Sequence, residues 1–135
     1  RAADVFRPGN HGTAFAGNPP AMRAGVAPIR IMEEDGLLEH AARVGAALKS
    51  GLENELSGVK GVIEIRGQGL MLGIELDRPC GALLGAAAQA GLLISVTADR
   101  VIRLVPSLIL SADEARQLIA ILCPLIKEFL AAPAP

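Results

Sequence analysis

The chain has 135 residues, 51% of them hydrophobic, which is the length of one domain and enough for an apolar core without disulfide staples. Its net charge is -1, with basic and acidic residues interspersed, so no basic field exists to attract nucleic acid or an anionic membrane surface. Aromatic content is 2%, three Phe with no Trp or Tyr, which leaves few rings to stack on bases or planar cofactors.

Residues 1–17 carry Gly, Pro and Asn at close intervals and read as a loop that either links or binds. No secretory signal is present and the chain opens on Arg1, so we expect an upstream portion, removed or never included. Asn18 followed by Pro19 is an N-cap with proline in the first turn, and a helix is expected to about Asp35, kinked near Gly25 to Pro28 because Pro28 lacks its N–H. Gly36 then serves as a C-cap. A second helix from Leu37 to about Leu56 carries Leu37, Ala41, Val44, Leu48 and Leu52 on one face and Glu39, Arg43, Lys49, Glu53 and Asn54 on the other.

From Ile63 to Leu76 the period changes to two. Ile63 and Ile65 alternate with Glu64 and Arg66, and Leu70, Leu72, Ile74 and Leu76 share one face, so two strands meet at a turn built on Gly67 and Gly69. Pro79 and Gly81 open a short helix through Ala90, which Gly91 ends. A third strand is expected over Leu92 to Val96, a turn at Asp99 and Arg100, and a fourth strand over Val101 to Val105, closed by Pro106. Ser111 with Glu114 is a capping box before a last helix whose stripe is Ala115, Leu118, Ile119, Leu122, Leu125, Ile126 and Phe129, bent at Pro124 and followed by a frayed tail. This order predicts an α+β two-layer sandwich in which helices cover a small, mostly antiparallel sheet.

The run from Ala82 to Val96 is the most apolar, but it is interrupted by Gln89 and Ser95 and falls short of a bilayer span, so it is core and not membrane. Cys80 and Cys123 lack metal-type spacing and sit among Pro, Gly and aliphatic residues, which predicts buried thiols in a reducing, cytoplasmic setting. His11 and His40 share no ligand spacing with Cys or carboxylates, and His40 falls on an otherwise solvated helix face, so no metal is expected. No nucleophile–base pair can be assembled, and Lys49, Lys60 and Lys127 sit on polar faces or element ends.

Two residues carry candidate binding chemistry. Arg103, in the middle of VIRLV, is paired with an acidic neighbour, lies at a sheet edge, or is a fixed fork that grips a substrate carboxylate. Thr13, in the His11-Gly12-Thr13 turn, either donates its hydroxyl to a phosphate or satisfies its own turn.

Three ordered motifs, HGTAFAGNPPA (His11 to Ala21), IRGQGLMLGIEL (Ile65 to Leu76) and AGLLISVTADRVIRLVPSLILS (Ala90 to Ser111), resemble the C-terminal part of class III, pyridoxal-phosphate-dependent aminotransferases. The resemblance runs from Arg1 to about Leu130. It implies the type I aminotransferase fold, with residues 1–35 as lead-in loop and linking helix from a large domain and 36–135 as the C-terminal small domain. It also implies a homodimer, a Schiff-base lysine upstream of the HGT motif, and an isolated chain that does not catalyse. The implied reaction moves a terminal amine, that of N-acetylornithine first, then succinylornithine, ornithine or 4-aminobutyrate, to 2-oxoglutarate, placing the parent in arginine biosynthesis. Arg103 would bind the substrate α-carboxylate. The family's phosphate-binding threonine falls at Ala14, so either Thr13, one residue earlier, takes that contact or the phosphate loses a hydroxyl donor. The rival reading is a non-catalytic α+β module that dimerises or holds a small carboxylate through Arg103.

Overall fold

The computed structural model describes residues 9, 12–13 and 17–132. His11, Ala14 and most of the expected leading loop lie outside the described residues, as does the tail after Ala132. The chain divides into two compact units, Arg1–Asp35 and Gly36–Pro135.

In the first unit, Asn18 is extended and its Oδ1 accepts from the Ala21 N–H at 2.9 Å, starting helix α1 (Pro19–Glu34). The prolines of its first turn remove N–H groups that have no intrahelical partner in any case. The helix runs unbroken across Pro28, so that proline does not end it. None of its residues is buried, and Met22, Val26 and Ile29 stand exposed along one face.

The second unit begins at Gly36, whose φ of 59° turns the chain into helix α2 (Leu37–Glu55). Strands β1 (Val62–Gln68) and β2 (Met71–Leu76) follow, then α3 (Ala82–Gln89), β3 (Ser95–Thr97), β4 (Val101–Leu104) and α4 (Ala112–Ala131). The sheet order is β1-β2-β4-β3 and every pairing is antiparallel, so the fold is α+β, with helices over one small sheet.

Rows of cross-strand partners explain why this sheet has one wet and one dry face, since partners in an antiparallel pair project to the same side. Ile65, Ile74, Ile102 and Val96 form a row across all four strands; Ile74 and Ile102 are 0% exposed. With Leu72, Leu76 and Leu104 they join Val44, Leu48 and Leu52 of α2 and Leu118, Leu122 and Ile126 of α4 in one core. Each fully buried Leu or Ile there contributes about 1.5–3 kcal/mol. Helix α2 sits close to the hairpin turn because it presents Gly45: a Cβ at that position would lie 2.0 Å from the Gly69 carbonyl oxygen.

Helix α4 is capped as its sequence indicates. Ser111 Oγ accepts from the Glu114 N–H at 3.2 Å and Glu114 Oε2 accepts from the Ser111 N–H at 2.8 Å. The Ser111 backbone N–H, and then the Ser111 hydroxyl, which donates to Glu114 Oε2 at 2.7 Å, hold the Glu114 carboxyl below its ordinary range. The helix continues across Pro124.

Four expectations are corrected. Ile63 does not share the inner face with Ile65; a register shift between Val62 and Glu64 turns it outward, 61% exposed, while Val62 packs in its place. Leu92 to Ile94 are not strand, because the Leu92 N–H bonds to the Ala87 carbonyl and that of Gly91 to Ala88, closing α3 with a Schellman cap around Gly91 at φ 81°. The turn before β4 falls one residue early, on Ala98 and Asp99, both in the left-handed region. His40 is half-buried rather than solvated. Its Nε2 lies 2.8 Å from the Leu110 carbonyl oxygen, which must accept, so Nε2 carries the proton and Nδ1 accepts from Arg43 Nη2 at 3.1 Å.

Candidate functional site

The open face of the sheet is built from the residues that alternate with the core rows. One row reads Arg66, Gly73, Arg103 and Ser95; the next reads Glu64, Glu75, Val101 and Thr97. Each charged group on this face is thus set by its strand register, one residue out of phase with an isoleucine or valine.

Within these rows the charges pair unequally. Arg66 Nη1 donates to Glu64 Oε2 and Glu75 Oε2, each at 2.7 Å, and Arg100 Nη2 lies 3.2 Å from Glu75 Oε1. The bonds to Glu75 and then Glu64 raise the already high pKa of the Arg66 guanidinium, so it is locked as a cation. Arg103 has no carboxylate partner among the described residues. It is exposed, on a strand interior to the sheet, and its Nε donates to Ser95 Oγ at 3.1 Å. On its other flank stands Gly73, where a Cβ would meet Val101 Cγ1 at 3.3 Å. A cleft of ≈ 370 Å³ opens here, lined by Arg66, Met71, Gly73, Thr97, Val101 and Arg103. Neither structural alternative for Arg103, an acidic partner or an edge position, describes its surroundings among the described residues.

A second cleft, of ≈ 280 Å³, lies between the segment after α3, the end of β4 and α4. Its lining is mainly Leu, Pro and Ile, and its one charged residue, Glu114, is committed to the helix cap. It offers no cation for an acidic ligand.

Thr13 is exposed and belongs to the first unit, while Arg103 belongs to the second. Lys49 pairs with Glu53 at 3.7 Å, Lys127 pairs with Glu55 at 3.1 Å, and Lys60 is exposed, so no described lysine is buried in a pocket fit to carry an aldehyde cofactor. Cys80 and Cys123 are buried free thiols. Burial, and then Glu55, pushes the Cys123 thiol up to about 11, which keeps it from being a thiolate nucleophile near neutral pH. Among the described residues no three His, Cys, Asp or Glu side chains gather as metal ligands, and no helix is long and apolar enough to cross a membrane. Sequence reasoning missed Ser95 and Gly73. For Ser95 the signal was in the strand pairing, since a three-residue turn over 98–100 pairs Thr97 with Val101 and therefore Ser95 with Arg103, whereas Gly73 is set beside Arg103 by the pairing of β2 with β4.

Residues 1–126 match the family described as Aminotransferase class-III. The chain is 61% identical over 130 residues to acetylornithine aminotransferase 1 of Bordetella bronchiseptica, covering 96% of this chain and 33% of that protein. Among solved structures it is similar to the ornithine aminotransferase of Toxoplasma gondii, with a TM-score of 0.82 at 30% identity, over 94% of this chain and 31% of that one. It is likewise similar to the acetylornithine aminotransferase of Elizabethkingia anophelis, with a TM-score of 0.80 at 30% identity, over 94% and 33% of the two chains. The chain therefore spans about a third of the length of the curated relatives it matches.

Proposed function

This chain belongs to the class III aminotransferases, and from that premise we propose that it is the C-terminal part of an enzyme moving the terminal amine of N-acetylornithine to 2-oxoglutarate. In this reading residues 36–135 are the small domain, residues 1–35 lead in from a large domain, and the full protein is a cytoplasmic homodimer of arginine biosynthesis. Class membership favours this over a stand-alone carboxylate-binding module.

The observation that carries the reading for this chain is Arg103, a guanidinium on an interior strand with no carboxylate partner among the described residues. Both substrates of such a reaction bear an α-carboxylate, and a guanidinium fork fits a planar carboxylate with two charge-assisted bonds. Arg103 binds and orients that carboxylate. Gly73 leaves its flank open, and Arg66 and Arg100 occupy Glu75, the acid on the neighbouring strand that would otherwise compete for Arg103.

Pyridoxal phosphate, on which this class depends, supplies the electron sink for the amine transfer. The described residues of this chain do not fit its aldehyde end, and none of the chemistry there is assigned to them. The catalytic lysine belongs to the rest of the protein in this reading, and the 135 residues alone do not catalyse. Thr13 supplies the one hydroxyl of the HGTA turn, so a contact from that turn to the cofactor phosphate falls to it and not to Ala14.

The test is a transaminase assay of the full-length protein with 2-oxoglutarate and, in turn, N-acetylornithine, succinylornithine, ornithine and 4-aminobutyrate. The highest kcat/KM is expected for N-acetylornithine. A preference for another amine would overturn the substrate, and no transfer to 2-oxoglutarate from any of them would overturn the reaction.

A further inference from the structure

Ser95 stands directly across from Arg103 in the β3–β4 register. Its hydroxyl makes two bonds with that one residue: Ser95 Oγ donates to the Arg103 carbonyl oxygen at 3.2 Å and accepts from Arg103 Nε at 3.1 Å. A serine has one proton to give. Because the backbone carbonyl can only accept, that proton is directed to it, and a lone pair is left facing Nε. The serine is thereby fixed as an acceptor, and the guanidinium is held by its Nε edge. The terminal nitrogens of Arg103 make no hydrogen bond among the described residues. What remains open is the end-on edge formed by Nη1 and Nη2, which presents two parallel N–H groups to a carboxylate.

An arginine side chain has many rotamers, and one that must be ordered on each binding event loses affinity by that amount. Two features of this face remove the alternatives. Glu75, the acid that would draw Arg103 aside, is already bonded to Arg66 and Arg100, and Ser95 holds Nε from the opposite side. We propose that Ser95 is a positioning residue that sets the Arg103 guanidinium for end-on, two-bond capture of the substrate α-carboxylate. The proposal rests on the reading of Arg103 given above.

It is tested by steady-state kinetics of the full-length, cofactor-loaded enzyme with 2-oxoglutarate, comparing Ser95→Ala, Ser95→Thr, Arg103→Ala and the Ser95→Ala/Arg103→Ala double variant. Ser95→Ala is expected to raise KM for 2-oxoglutarate about tenfold with kcat held within about twofold, as loss of a hydrogen bond to a charged group made in the bound state would do. Ser95→Thr, which keeps the hydroxyl and suits a strand, is expected to return KM to within about threefold of the parent. In the Arg103→Ala background, Ser95→Ala should add less than about twofold, because its effect passes through the guanidinium. An unchanged KM in Ser95→Ala, a rise that threonine does not rescue, or an equal further loss in the Arg103→Ala background would each overturn the proposal while leaving Arg103 as the carboxylate ligand. If Arg103→Ala itself leaves KM and kcat unchanged, the reading of Arg103 fails and this proposal with it. A common fall in melting temperature that accounts for the Ser95→Ala kinetics would assign Ser95 a purely structural role and overturn it as well.

Discussion

The two faces of one small sheet differ by a single step along each strand. The row Ile65, Ile74, Ile102, Val96 faces the helices and contains no polar atom beyond the backbone; the row Arg66, Gly73, Arg103, Ser95, one residue on, faces away. The first is held by area removed from water and has no directional demand. The second is held by a few directed bonds, and within it Arg103 has no carboxylate partner among the described residues. Stability and the carboxylate binding proposed for Arg103 are thus separated by register, so a substitution in one row should leave the property of the other row nearly intact.

The largest effect is expected from Ile74→Ala. Ile74 is fully buried at the centre of the sheet, and the variant should lose about 4 kcal/mol of stability, read as a lower denaturant midpoint of the second unit in the full-length protein. Any enzyme that remains folded should keep its KM. A loss under about 1 kcal/mol would mean that the inner row is not the core.

Gly45→Ala sharpens the account of how the helix layer sits on the sheet. Helix propensity alone predicts a gain of about 1 kcal/mol for replacing a mid-helix glycine by alanine. Because the added Cβ would lie 2.0 Å from the Gly69 carbonyl oxygen, the expected result is instead a loss of about 3 kcal/mol, measured by thermal or urea unfolding. The sign of the change decides between the two.

A smaller effect concerns the start of α4. Ser111→Ala should cost about 1 kcal/mol through the lost cap. Glu114, the other half of the box, is held below its ordinary pKa by the Ser111 backbone N–H and hydroxyl. A depressed carboxyl pKa contributes stability that is present above the unfolded glutamate value and is lost as the pH falls through the folded one. The difference in melting temperature between parent and Glu114→Gln should therefore shrink as the pH is lowered below the ordinary glutamate range; a difference that grows would contradict the capping account.

Where the sequence was legible, the signal was local. The periods of α2 and α4, the capping box at Ser111 and Gly69 of the hairpin turn each depend on residues within a few positions, and the elements stand in the expected order, although Gly67, expected in the turn, is paired with Leu72 inside β1. Where it failed, a distant or competing bond decided. Ile63 was turned outward by a bulge that only pairing with β2 reveals. Leu92 was drawn into the cap of α3, a backbone alternative that an apolar run conceals. His40 found its partner 70 residues away at Leu110. Arg103 stood out in the sequence as a charge within a strand, but the absence of a described acidic partner, the hold of Ser95 and the gap left by Gly73 became visible only once three strands lay side by side.

The carboxylate-binding role proposed for Arg103 is tested by the kinetics of Arg103→Ala in the full-length enzyme, taken together with its melting temperature. An exposed guanidinium that binds substrate should leave stability within about 0.5 kcal/mol of the parent. At the same time kcat/KM for 2-oxoglutarate should fall about a hundredfold. Unchanged kinetics, or a loss of activity matched by a loss of stability, would contradict the division of this sheet into a face that holds and a face that binds.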